Sequence, residues 1–222
     1  MKIATTLAVL AALCLAACSS PDAGPAKPPP APAAAPAPAP TPPAPAPAAP
    51  AAAPAAAPFD QGLELQGVTF QVKCPNASST NKLTIIPSGL SGDNAPIVQE
   101  VDGIVTGAEV ADVNSDGSPE VYVYVQSAGS GSYGSVVAYS SNKKKSLSMI
   151  YLPPVSENPK AAKGYMGHDA FAVVETRFVQ RFPVYKPGDT NASPSGGMRQ
   201  LHYKLVPGEA GWLLKLDRIE EF

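Results

Sequence analysis

VADVNSDGSPEVYVYVQSAGSGSYGSVVAYS, residues 110–140, sets an acidic turn, a strand, a glycine-rich loop and a return strand in direct succession. The strand, 121–126, is β-branched or aromatic at every position except Gln126, a composition that suits a pleated, buried surface. The loop covers 127–134, and Ser135 begins the return strand. Working outward, further short β-branched or aromatic runs fall at 63–72, 83–86, 97–101, 104–113, 136–139 and 147–152. More follow at 170–175, 178–185, 200–206 and 212–216, with Gly, Pro, Asn, Asp and Ser clusters between them. Many evenly spaced short strands with turn signals predict an all-β domain, an antiparallel β-sandwich or barrel. In Leu201-His-Tyr203-Lys-Leu205 the period of two places His202 and Lys204 on the wet face. Only residues 157–164 read as a helical turn.

That domain, 59–222, is preceded by two segments of different character. Residues 1–17 have a short basic start at Lys2 and an apolar run too short to span a bilayer, the pattern of a secretory signal. The run ends in Leu15-Ala16-Ala17-Cys18, which resembles the lipobox of bacterial lipoproteins. The resemblance implies lipidation at Cys18 and, with Ser19 rather than Asp next, anchoring in the outer membrane facing the periplasm. Residues 18–58 are almost nothing but Pro and Ala after the first few positions. Such a tract buries no core and reads as a semi-rigid polyproline II spacer, at about 3.1 Å per residue. A proline-rich ligand for a recognition module is the alternative, but flanking basic residues are missing.

The chain carries 16 basic and 18 acidic side chains, net charge −2, with no basic patch of the kind that binds nucleic acid. Of its three cysteines, Cys14 belongs to the signal and Cys18 to the lipid, leaving Cys74 without an intramolecular partner. Cys74 is expected to be buried as a small hydrophobe rather than paired with a second chain.

Two stretches carry chemistry. The turn places oxygen ligands at alternate positions, Asp112, Asn114 and Asp116, with Gly117 at the bend, Ser118 beside it and Glu120 as a late carboxylate. This is the opening of a calcium loop. Val123 stands where an EF-hand requires glutamate, so the closer likeness is to the Asp-x-Asn-x-Asp-Gly loops of β-propellers. The competing reading is a turn whose Asp and Asn side chains cap their own backbone. The loop around Ser130-Gly131-Ser132-Tyr133-Gly134 lacks the Gly-Lys-Ser/Thr ending of a phosphate cradle and opens a strand rather than a helix. No Ser in it has the flanking glycines of a nucleophile elbow, and His168 and His202 stand far apart without catalytic company. No enzyme is expected. From the residues alone, the loop is a flexible hairpin end with a packed tyrosine.

The order Asp-x-Asn-x-Asp-Gly-x-Pro-Glu, strand, Ser-Ala-Gly-Ser-Gly-Ser-Tyr-Gly, strand resembles the periplasmic inhibitors of invertebrate-type lysozyme. The block from Arg181 through Asn191, Gly196-Gly197, Arg199-Gln200 and 208–212 adds to the likeness. Its sharpest piece is Ser-Gly-x-Tyr, here Ser130, Gly131, Ser132 and Tyr133. The resemblance implies a protein partner, lysozyme with the invertebrate type favoured, and admits a homodimer. It also implies an inhibitor loop made of those four residues.

The chemistry of the target makes such a loop reasonable. Lysozyme works with two carboxyl groups at the bottom of a cleft. A blocking protein must reach them with hydrogen-bond donors, because buried carboxyls left unpaired are costly. Ser130 supplies a short hydroxyl and Tyr133 a phenol on a rigid ring. A second contact is expected from 186–199, with Arg199 at its edge, against the plainer reading of an exposed connector. Lys143, Lys144 and Lys145 read as a solvated hairpin turn that blunts an edge. The rival function is a calcium-stabilised structural or peptidoglycan-binding lipoprotein in which the loop is inert. No cofactor is required, and calcium at the acidic turn is the one candidate.

Overall fold

The structure, a computed structural model, describes residues 56–129 and 131–222. The signal, Cys18, nearly all of the proline-rich tract and Ser130 lie outside the described residues. The all-β expectation is right. A four-stranded antiparallel sheet is formed by β1 (Phe59–Leu65), β2 (Val68–Cys74), β3 (Thr80–Ser88) and β4 (Ile97–Asp102). An eight-stranded sheet follows: β5 (Ile104–Ala111), β6 (Glu120–Gln126), β7 (Gly134–Asn142), β8 (Ser146–Tyr151), β9 (Ala170–Val174), β10 (Arg177–Pro183), β11 (Met198–Pro207) and β12 (Trp212–Glu221). Its spatial order is β5-β6-β7-β8-β12-β11-β10-β9, antiparallel throughout except for the short β8–β12 seam. The sheet curls until its edges meet, with Val173 N of β9 donating to Glu109 Oε2 of β5 at 2.7 Å. The result is a nearly closed barrel carrying the small sheet on its outer face.

β6 is the hinge of this architecture because both its faces are covered. Val121, Val123 and Val125 face the small sheet and pack with Val68, Phe70, Val72, Leu83 and Ile85. Tyr122 and Tyr124 point the other way, into the barrel, among Phe178, Phe182, Leu201, Tyr203 and Leu214. Each fully buried side chain of this kind contributes about 1.5–3 kcal/mol. Period-two alternation thus serves two cores at once, which explains why no residue between Glu120 and Val125 is polar and exposed. Cys74 is buried and free, as expected.

Four sequence expectations change. Residues 63–72 are not one strand but the β1–β2 hairpin, turning at Gln66 (φ 54°) and Gly67 (φ 80°). Two central residues at positive φ make the tight turn whose twist matches its strands, and a glycine permits it. The helical reading of 157–164 narrows to a 3-10 turn at Val155–Glu157 and α1 (Pro159–Ala162), capped by Asn158 Oδ1 accepting from Lys160 N and Ala161 N. His202 is buried rather than wet: β11 keeps its alternation, with Leu201, Tyr203 and Leu205 in the barrel core, and on the other face the imidazole is covered by the Gln200 and Glu220 side chains that contact it. The lysine turn is not merely solvated. Its carbonyls at Lys144 and Lys145 accept from Ser91 N and Asp93 N, and Lys144 Nζ donates to Gln66 O at 2.8 Å, tying the β7–β8 hairpin to the small sheet.

Candidate functional site

β6 presents the acidic turn at one end and the glycine-rich loop at the other. At the first end, Asp112 Oδ1 accepts from Asp116 N at 2.9 Å, and Asp112 Oδ2 accepts from Gly117 N at 2.9 Å and Gln66 Nε2 at 2.8 Å. Asn114 Nδ2 donates to Asp116 Oδ2, and Ser118 N donates to Asp116 Oδ1. Glu120 is wholly buried and accepts from Val113 N at 2.8 Å and Ser140 Oγ at 3.2 Å. Burial, helped by the charges of Asp112 and Asp116, pushes its carboxyl up to about 8. Oxygens of Asp112, Asp116 and Glu120 come within 4.8 Å of one another, so carboxylates suited to a hard cation do converge. The side chains also cap their own turn, so the geometry accommodates both readings of it.

At the other end of β6 the loop leaves at Ser127 and returns at Gly134. Its own hydrogen bonds are Ser132 N to Gly129 O and Ser127 N to Tyr133 O, both 2.9 Å. Gly131 lies under the Tyr133 ring, where an added Cβ would collide with ring carbons. Tyr133 itself is 49% exposed, one of the most exposed aromatic side chains among the described residues. Ser130 lies outside the described residues, so the first member of the Ser-Gly-x-Tyr set has no described geometry.

Distant chain holds this loop. Residues 164–169, Gly-Tyr-Met-Gly-His-Asp, pass directly beneath it. His168 N donates to Gly131 O at 2.9 Å, and Asp169 Oδ2 accepts from Gly134 N at 2.8 Å. Gly167 sits at φ 88°, and a Cβ there would strike the Gly131 carbonyl, so the close approach requires glycine. The Tyr165 ring meets Tyr133 edge-on at 5.7 Å between centroids and packs on Phe182 at 4.6 Å. Tyr165 OH donates to Asp169 Oδ2 at 2.7 Å, and burial with the neighbouring carboxylate raises its pKa, so the phenol remains a donor. Beside Tyr133 runs a groove walled by Val136, Leu152, Pro153, Tyr165 and Gln180.

The 186–199 segment divides in two. Its tip folds around Asp189, whose carboxylate accepts from Lys186 N and Ser195 N, contacts that hold its pKa below the usual carboxylate range. His168 Nε2 lies 3.2 Å from Asn191 Oδ1, which places this tip next to the strip that braces the loop. Arg199 does not behave as the expected surface contact. It is 4% exposed, and its guanidinium donates to Glu221 and to the carbonyls of Ala161 and Lys163. It braces α1 against the C-terminal strand, and with four of its five N–H donors engaged and the side chain buried it is not a surface contact for a partner.

Sequence reasoning missed 164–169 altogether, because its role depends on which loop it passes under.

The family model described as periplasmic lysozyme inhibitor of I-type lysozyme matches residues 91–163. The match contains the acidic turn, β6 and the loop, and it supports the resemblance carried by those residues. No curated protein matches the chain.

Proposed function

We propose that this chain is a non-enzymatic inhibitor of invertebrate-type lysozyme that enters the enzyme's cleft with the loop Ser130, Gly131, Ser132 and Tyr133. The matched family is one of periplasmic lysozyme inhibitors, which supports the general role. The observation that carries the finer reading is Tyr133, a half-exposed phenol on a loop held by three contacts from the strip 164–169 beneath it. A rigid aromatic with a polar tip can fill a sugar subsite and hydrogen-bond to a carboxyl group at little entropic cost. The groove beside it offers apolar walls to the lip of the cleft. The tip around Asn191 adjoins the same strip and is the second contact, in place of Arg199. Lipidation at Cys18 and the proline-rich tract would hold this domain away from the outer membrane, in the periplasm, where an incoming lysozyme attacks the wall.

Turnover of cell walls by invertebrate-, chicken- and goose-type lysozymes is to be titrated with the protein and with its Tyr133→Ala and Ser130→Ala variants. The invertebrate enzyme should be driven to zero by the wild type and spared by a folded Tyr133→Ala. If all three enzymes are untouched by the wild type, inhibition is the wrong function.

A second reading rests on the convergence of Asp112, Asp116 and Glu120. On it the domain is a calcium-stabilised structural or wall-binding protein, with Asn114 and Ser118 completing the oxygen set. Because Glu120 holds its proton up to about pH 8, calcium would have to displace that proton. A thermal midpoint at pH 8 that ignores both millimolar calcium and chelator removes this reading.

A further inference from the structure

The geometry points to Asp169 as the positioning residue of the inhibitor loop, acting through the Gly134 amide and the Tyr165 phenol rather than by touching lysozyme. This inference rests on the inhibitor reading and deepens it. Asp169 receives three hydrogen bonds, and each comes from a different part of the fold. Gly134 N at 2.8 Å is the point where the loop rejoins β7. Tyr165 OH at 2.7 Å belongs to the ring that supports Tyr133. Gln180 Nε2 at 2.7 Å comes from β10 and is buried, and its Oε1 in turn accepts from Tyr203 OH at 2.9 Å inside the barrel. A chain of hydrogen bonds therefore runs from the barrel core, Tyr203 to Gln180 to Asp169, and ends on the loop.

The acceptor count explains why a carboxylate is there. Its partners arrive on both oxygens, and an ionised carboxyl is acceptor-only on both, so no orientation of it presents a donor to the Gly134 amide. Charge-assisted bonds are roughly twice as strong as neutral ones, so the Gly134 end of the loop is pinned more firmly than a turn of its composition would be. Gly134 has no Cβ, and one added there would collide with Asp169 Cβ and with the Phe171 ring, so the approach of the two backbones is specific to this pair. With Gly134 and Tyr165 both fixed, the Tyr133 ring is held in one direction before any partner arrives. Pre-orientation of this kind removes the ordering cost from the binding step.

Asparagine makes the informative comparison. Its single acceptor oxygen can face Gly134 and Tyr165 while its amide faces Gln180. Gln180 can rotate its own amide to accept, leaving its NH2 to donate to the Tyr203 oxygen. Asp169→Asn should therefore restore most of what Asp169→Ala loses.

The full chain and its Asp169→Ala, Asp169→Asn and Val68→Ala variants should be compared by inhibition of invertebrate-type lysozyme and by amide hydrogen exchange at Gly134 and Tyr133 in the free protein. Val68 is in the core of the small sheet and controls for general loss of stability. Asp169→Ala should weaken inhibition about tenfold to hundredfold, the loss expected from two or three residues that must be ordered on binding. It should also raise exchange at Gly134, while Asp169→Asn stays within a few-fold of wild type and Val68→Ala leaves both readouts in place. Unchanged exchange at Gly134 in Asp169→Ala overturns the inference. So does faster exchange with undiminished inhibition. A wild type that inhibits no lysozyme sinks the inhibitor reading alone, and the exchange comparison still decides whether Asp169 sets the loop.

Discussion

The two ends of β6 are built in opposite ways. The turn at 112–120 largely satisfies itself: most of the contacts of Asp112, Asn114 and Asp116 lie within five residues, while Gln66 reaches in to Asp112, and Ser140 and Ser141 to the Pro119-Glu120 end. Among the described residues, the loop at 127–134 has two backbone bonds of its own, and residues more than thirty positions downstream hold it through Gly131, Tyr133 and Gly134. A self-contained turn tolerates change in its surroundings and stabilises locally. A loop clamped from outside can expose a large aromatic residue in a fixed direction, because the clamp offsets the entropy that a free glycine-rich segment would keep. On the proposed function, the difference separates a structural end of the strand from a recognition end.

Breaking the recognition end should give the largest effect. Tyr133→Ala is expected to cost about 2–4 kcal/mol of binding, the range of a central aromatic anchor. Its thermal midpoint should stay within a degree or two of wild type, since half of the side chain is already in water. Inhibition titrations beside thermal melts will check this.

Next, Asp112→Ala removes an acceptor of three hydrogen bonds at the structural end and should lower stability by about 1–3 kcal/mol. Inhibition by the folded variant should be unchanged. A parallel loss of inhibition would show that the two ends are coupled through β6, and the contrast drawn above would fail.

Smaller again is a dependence on pH at Glu120. The folded carboxyl holds its proton up to about pH 8, while an unfolded one releases it near ~4.3. Between those values the folded chain binds more protons than the unfolded one, so this group's contribution to stability falls as pH rises through the window and levels off above it. Glu120→Gln mimics the protonated form, can still accept from Val113 N, and should flatten that slope, with its gain over wild type largest at pH 8 and absent at pH 4. Urea melts across this range read the difference. A slope that persists in the variant assigns it to another group.

The smallest effect is expected at Ser115, which holds φ 56° at the exposed tip of the turn. Asparagine tolerates that region better, and Ser115→Asn should stabilise by about 0.5 kcal/mol.

Legibility followed the same division. The strand 121–126, the acidic turn and the loop were all readable because each depends on neighbours in sequence: alternation, oxygen spacing, glycine content. The β1–β2 turn at Gln66-Gly67 was readable in principle, since a two-residue turn with glycine between alternating runs is a hairpin signal, but the alternation of Leu63 and Leu65 resumes at once in Val68, Phe70 and Val72, which masked the break. Arg199 and His202 were misplaced for a different reason. A guanidinium at a loop edge and an imidazole at an alternate strand position are exposed by default. Only the approach of α1 to the one, and the side chains of Gln200 and Glu220 at the other, buried them.

The sequence by itself therefore determined an all-β domain, a β-branched and aromatic strand at 121–126, a buried lone cysteine and a glycine-rich loop with an aromatic tip. These follow from periodicity and residue chemistry, which act over a few positions. Tertiary structure alone decided that residues 164–169 pass beneath the loop, that Asp169 joins it to the barrel core, and that Arg199 turns inward. Such contacts join residues far apart in the chain, and no local pattern encodes which distant segment the closing of a sheet will bring alongside.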